Sequence, residues 1–149
     1  MDRAMKTVRD ILQAKGHDVW SVTWGTTVYD ALKLMADKNV GAVLVLDAGK
    51  LVGILSERDY ARKVILKGKA SKDTLVWEIM TEKVLCVHPD TIVEVCMELM
   101  TDKHVRHLPV LEDDRLIGVI SVGDVVNAII SEQRYIINQL RAFHDYDMP

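Results

Sequence analysis

Fifteen of the 41 residues from Val19 to Asp59 recur without a gap 65 positions later, between Val84 and Asp124, where average composition gives about two or three matches by chance. A chain that repeats itself this way folds as two copies of one unit. Both copies end on Gly-apolar-apolar-Ser-x-x-Asp, as GILSERD at 53–59 and GVISVGD at 118–124. Two copies are too few for a solenoid, which needs three or more to cover its faces. The copies are therefore expected to bury their apolar faces against each other, as a pair related by a pseudo-twofold axis.

Within each copy the periodicity predicts β-α-β-β-α, which makes the chain an α+β protein. Val22 enters a short strand. Val28, Ala31, Leu32 and Met35 recur at helical spacing, as do Val93, Cys96, Met97 and Met100, so each set is one face of an amphipathic helix. Thr91 and Glu94 read as a capping box behind the chain reversal at Pro89-Asp90. The runs 40–46 and 107–111 are apolar on both faces and read as buried strands; DAGK and EDDR are hairpin turns, and LVGILS and LIGVIS are return strands. Closing helices are expected to start near Asp59 and Asp124. The expected boundaries are 8–68 for the first copy, 74–130 for the second, and 131–149 for a helical extension. Along that last helix Val126, Ile129, Ile130, Ile136, Ile137, Leu140 and Phe143 form an apolar stripe that needs a partner.

Composition removes several classes of function. With 49% apolar and 28% charged residues the chain has material for a core, and a net charge of −3 with mixed signs leaves no basic stripe for nucleic acid. The longest apolar run, Ala42 to Leu46, is far below the roughly 18 residues of a membrane span. MDRAMKTVRDIL has no apolar signal core, so the cytoplasm is the expected compartment. Cys86 and Cys96 form no CxxC and are expected to be reduced, outside any disulfide or zinc site. His17, His88, His104, His107 and His144 show no metal-ligand spacing, and neither GxSxG nor GxxxxGK[ST] occurs. With no nucleophile and base to pair, no catalysis and no catalytic cofactor are expected. The methionines read as core, and Trp20, Trp24 and Trp77 as packing or rim residues.

Ser56-x-x-Asp59 and Ser121-x-x-Asp124 read two ways. Both are capping boxes. Equally, a strand that turns into a helix at a serine leaves unpaired N–H groups that favour phosphate. A carboxylate there can accept hydrogen bonds from ribose hydroxyls, and the serine can reach a phosphate or ribose oxygen.

The duplicated unit closing on this motif, together with RHLPV at 106–110 and SERDYARKV at 56–64, resembles a tandem pair of cystathionine-β-synthase (CBS) domains, or Bateman module, of the stand-alone bacterial type. The resemblance spans roughly Val8 to Ile130. It implies a regulatory module that binds adenosine-containing ligands (AMP, ADP, ATP, NAD or S-adenosylmethionine) in two clefts between the repeats, acts on an effector protein, and commonly forms homodimers. One implied cleft combines Ser56, Arg58 and Asp59 with Leu85, Val87, Val105, Arg106, His107 and Pro109. The other combines Ser121 and Asp124 with Trp20, Val22, Val40, Gly41 and Ala42. Cations are expected to be scarcer in the second, where Gly123 stands for Arg58 and Gly41-Ala42 for Arg106-His107. Lys15 and Lys63 read as solvated. The rival readings are an interaction module whose clefts are vestigial, with Ser-x-x-Asp serving only as caps, and a small enzyme acting on a nucleotide or thiol.

Overall fold

The computed structural model describes the backbone of residues 6–147 and the side chains of residues 6–141. The last residues of the expected 131–149 extension, and the side chains of Phe143 and His144, lie outside the described residues. Helix α1 (Val8–Lys15) precedes the first copy, which contains β1 (Ser21–Thr23), α2 (Val28–Lys38), β2 (Ala42–Asp47), β3 (Lys50–Ser56) and α3 (Glu57–Tyr60). A π-type turn at Ala61–Ile65 continues α3. Helix α4 (Val76–Ile79) leads to α5 (Val93–Lys103), β4 (His107–Glu112), β5 (Arg115–Ser121) and α6 (Val122–Asp147). The mixture of helices and two sheets is α+β, as expected.

The duplication holds down to register. Ala42 lies opposite Ser56 and His107 opposite Ser121, and each hairpin slips by one residue at the same place, between Val45 and Leu46 and between Val110 and Leu111. Both hairpins turn through paired positive φ values, at Ala48 (51°) and Gly49 (80°) and at Asp113 (51°) and Asp114 (62°), the mirror-image turn whose twist matches that of the flanking strands. Helices α2 and α5 both end on a left-handed residue, Asn39 and His104. Their buried faces also correspond: Val28, Ala31 and Met35 in one, Val93, Cys96 and Met100 in the other.

The opening strand of the second copy departs from expectation, because prolines remove its ladder. In the first copy β1 pairs in parallel with β2, extended by Leu44 N–H donating to the Trp20 carbonyl (3.0 Å) and Trp24 N–H to the Leu46 carbonyl (3.2 Å). Pro109 and Pro89 stand at the positions of those two donors and carry no N–H. What remains is a single bridge of Val87 with Val110. The Thr91–Glu94 capping box does not form either: Thr91 Oγ1 accepts from the His88 N–H (3.2 Å), and the Val93 N–H at the head of α5 donates to the Lys6 carbonyl (3.0 Å). The helix starts one residue later than the predicted box requires, with Ile92 at the N-cap position and no side-chain cap.

The chain divides into two compact units, one of residues 18–85, the other of the N-terminal segment through His17 together with residues from Cys86 onward. Helix α1 therefore precedes the first copy in sequence and packs on the second. Its Val8 and Arg9 N–H groups donate to the carbonyls of Thr91 (2.9 Å) and Pro89 (2.8 Å), as Val76 and Trp77 of α4 donate to Thr26 (2.8 Å) and Trp24 (3.2 Å) in the other unit. Bridges Thr7–Ile92 and Leu75–Thr27 complete the match. Each unit thus receives an equivalent entering helix, and each motif glycine makes room for it. A Cβ on Gly53 would lie 2.6 Å from Met80 Sδ and 3.0 Å from the Thr81 carbonyl; one on Gly118 would lie 2.6 Å from Leu12 Cδ2.

Gly118→Ala is expected to cost about 1–3 kcal/mol, as overpacking does, and Leu12→Ala about 2–5 kcal/mol. In urea unfolding the double variant should cost clearly less than the sum, because each change relieves the other. Strict additivity would show that the glycine is not reserved for Leu12.

Candidate functional site

In the unit of residues 18–85, β3 ends at Ser56, which caps α3. Ser56 Oγ accepts from the Asp59 N–H (3.1 Å), and Asp59 Oδ2 accepts from the Ser56 N–H (3.0 Å) and hydroxyl (3.1 Å). The reciprocal cap fixes the carboxylate before any ligand arrives. Its other oxygen, Oδ1, faces Lys63 Nζ at 3.3 Å and the Thr81 hydroxyl at 3.4 Å. Lys63 also donates to the Ile79 carbonyl (3.0 Å). The Glu57 N–H donates to the Gly41 carbonyl (3.0 Å) and Ala42 pairs with Ser56, so the start of β2 and the cap form one corner. Val22 sits one strand away, opposite Val45. The Val40 N–H donates to the Met35 carbonyl (3.0 Å), and the Trp20 ring lies under Lys38 Nζ at 4.4 Å. Arg58 occupies α3 between the two capping residues, and Leu85 ends the unit.

The other unit repeats the cap and changes its surroundings. Asp124 Oδ2 accepts from the Ser121 N–H (2.8 Å), and the Asp124 N–H donates to Ser121 Oγ (3.1 Å). Lys15, the last residue of α1, donates to the same Asp124 Oδ2 at 2.7 Å and to the Val119 carbonyl at 2.9 Å. The Val122 N–H donates to the Arg106 carbonyl (2.8 Å) and His107 pairs with Ser121, which sets Arg106 and His107 in the corner of Ser121 and Asp124. Val105 joins the end of α5 to β4 through a bond to the Met100 carbonyl (3.2 Å); Pro109 is buried within β4, and Val87 bridges to Val110 beside it.

Electrostatics follow this arrangement. Burial pushes the Asp124 carboxyl up, but hydrogen bonds from Lys15 and the Ser121 backbone outweigh it and hold the group below its ordinary range. Burial lowers the His107 imidazole, with Lys15 and Arg106 adding to the effect and Asp124 opposing it. The two lysines read as solvated are thus both bonded to motif aspartates, which corrects that expectation and the expectation that cations are scarce around Asp124. Lys63 was within reach of sequence reasoning, four residues beyond Asp59 on a helix. Lys15 was not, because it enters on a helix outside the repeated segment. Burial raises the Cys86 thiol, and raises that of Cys96 to about 11; both are far from reactive thiolates. Among the described residues no three metal-ligating side chains come together, and no helix is long and apolar enough to cross a membrane.

Comparison with known proteins agrees with this architecture. The family model for the CBS domain matches twice, at residues 8–66 and 76–131. The chain is 44% identical over 147 residues to the mitochondrial CBS domain-containing protein CBSX3 of Arabidopsis thaliana, covering 92% of this chain and 71% of that one. A solved CBS-domain protein from Burkholderia ambifaria is 50% identical, with a TM-score of 0.83 over 86% of this chain and 96% of that one. The CBS domain pair of protein MJ0100, solved with 5′-methylthioadenosine and S-adenosyl-L-methionine, is 25% identical with a TM-score of 0.77, covering 87% and 99% of the two chains. The chain belongs to the CBS-domain family and carries two copies of the domain.

A histidine held low in the fold binds its proton more readily when unfolded. The stability it contributes is therefore complete above its unfolded value of 6.5 and is lost as pH falls below it. Calorimetry between pH 7.5 and 5.5 should show a melting temperature that drops with acidification, and a smaller drop in His107→Gln. An equal drop in both would remove His107 as the cause.

Proposed function

We propose that this CBS pair is a regulatory sensor of adenine nucleotides, AMP, ATP or NAD, with no catalytic activity of its own, acting through a partner protein. The observation that carries the reading is the state of the two motif aspartates. Each is fixed by a serine cap at the end of a strand, yet its side chain keeps some exposure, 13% for Asp59 and 21% for Asp124. A carboxylate held this way is preorganised to accept both hydroxyls of a ribose. The adenosine compounds bound to the MJ0100 pair support the same ligand class here. In this reading Ser56, Arg58, Asp59, Ser121 and Asp124 hold ribose and phosphate, Arg106 adds positive charge, and His107 lines the same corner as an imidazole whose protonated form is disfavoured. The apolar residues Leu85, Val87, Val105, Pro109, Trp20, Val22 and Val40, with the small Gly41 and Ala42, flank the base. The compartment proposed is the cytoplasm, where the thiols of Cys86 and Cys96 stay reduced.

A melting series with AMP, ADP, ATP, NAD and S-adenosylmethionine tests this. Ligand at a hundred times its dissociation constant stabilises by about 2.7 kcal/mol, roughly 5–10 °C for a chain of this size. One or two of the compounds should produce such a shift, and Asp59→Ala and Asp124→Ala together should abolish it. A shift that survives both substitutions would sink the site assignment. A flat series from folded protein would favour an interaction module whose caps serve only the fold.

A homodimer is part of the same proposal. On α6, Val126, Ile130, Ile136, Ile137 and Leu140 are exposed at helical spacing, an apolar stripe that a second copy of the chain would cover. Sedimentation should give twice the chain mass, and Ile137→Glu with Leu140→Glu should give the monomer. A monomeric parent chain would remove the dimer.

A further inference from the structure

Lys15 belongs to two features at once. Its Nζ is 2.7 Å from Asp124 Oδ2, and its side chain lines a groove of about 230 Å³ between α1 and α6 whose polar lining also includes Lys6, Asp10, Asp124, Asn127 and Ser131. The oxygen that Lys15 holds is the one that also accepts the Ser121 N–H. A ligand that bonds this carboxylate through a pair of hydroxyls must compete with Lys15 for it. The displaced ammonium then stands near His107 without its counter-charge. A neutral ligand offers nothing in return, whereas an anionic one supplies a new partner.

We propose that Lys15 is a charge-selecting residue, which makes the Asp124 corner prefer ligands that join a vicinal diol to an anionic group, with the anion seated in the α1–α6 groove. This rests on the reading that the motif aspartates bind ribose. The exchange needs no movement of α1. The helix is held independently by Leu12 against Gly118 and by the backbone bonds of Val8 and Arg9, and the four-carbon stem of lysine carries Nζ between two nearby partners by rotation alone. In the groove, Asn127 and Ser131 lie one and two helical turns beyond Asp124 and supply neutral donors. Asp10 is the opposing charge, and its carboxylate is engaged by the Thr7 N–H (2.9 Å) and hydroxyl (3.3 Å). The Asp59 corner is built otherwise. Its lysine comes from the same helix, sits at 3.3 Å and keeps a carbonyl partner, Ile79, so the preference belongs to the second copy.

The test titrates AMP and adenosine by calorimetry into the Asp59→Ala chain, which leaves one corner active, and into the same chain carrying Lys15→Met or Lys15→Arg. Without a Lys15 substitution AMP should bind at least about tenfold tighter than adenosine. Lys15→Met should bring the two within about threefold, partly by strengthening adenosine, and Lys15→Arg should keep the preference. Melting of each unliganded variant separates loss of fold from loss of selection. An AMP-to-adenosine ratio unchanged by Lys15→Met in folded protein overturns the inference alone. Absence of binding by both compounds, to this chain and to the parent, overturns the adenosine reading and the inference with it.

Discussion

The seat of α1 depends on a side chain that is missing. Gly118 leaves a space on β5 that Leu12 fills, and no residue with a Cβ could stand there without moving it. Because Leu12 is fixed, Lys15 one turn further along the helix arrives at Asp124, six residues past the glycine in the same motif. The first copy has the same dependence. Gly53 admits Met80 and Thr81, and the Thr81 hydroxyl faces Asp59. The motif therefore ties two things together in each copy, the docking of an entering segment and the surroundings of a carboxylate. The spacing from glycine to aspartate is what carries that coupling.

The two corners share this frame and differ in charge. Asp59 is met by a lysine from its own helix and by a hydroxyl, at distances above 3.2 Å. Asp124 is met at 2.7 Å by a lysine from a helix at the other end of the sequence, and its neighbours at the start of β4 are Arg106, just before the strand, and His107, its first residue, where the first copy has Gly41 and Ala42. Duplication supplied two equal caps. Divergence at a handful of positions then gave them unequal electrostatics, which is the condition for two binding positions on one chain to respond to different ligands.

Much of this is legible in the amino-acid sequence alone. The fifteen identities announced two copies, and period-two and period-3.6 patterns placed the hairpins and the amphipathic helices, because burial on one face leaves a periodic trace in sequence. The serine caps were legible for the same local reason. The lost strand at Val87 was half-legible: Pro109 visibly lacks a donor, but that Pro89 removes the other end of the ladder depends on which carbonyl each residue faces. Thr91 failed as a cap because α5 starts one residue later, with Ile92 at its N-cap position, and the Thr91 hydroxyl accepts from the His88 N–H instead. Lys15 was hidden most deeply. The copies align at an offset of 65, whereas the entering helices correspond at an offset of 68 and serve the opposite copy, and no local pattern records that exchange.

That exchange has a consequence for how the chain is made. During synthesis α1 leaves the ribosome before its seat, built from Pro89, Thr91 and Gly118, which follows about eighty to a hundred residues later. The unit of residues 18–85 is continuous in sequence and can close while translation proceeds. The other unit cannot, and until β5 emerges the nascent chain carries an amphipathic helix whose apolar face, Val8, Ile11 and Leu12, has nowhere to dock. The contacts that deliver Lys15 to Asp124 span 109 residues and belong among the last steps of folding. A nascent or truncated chain ending before residue 118 would lack that corner while already possessing the one around Asp59.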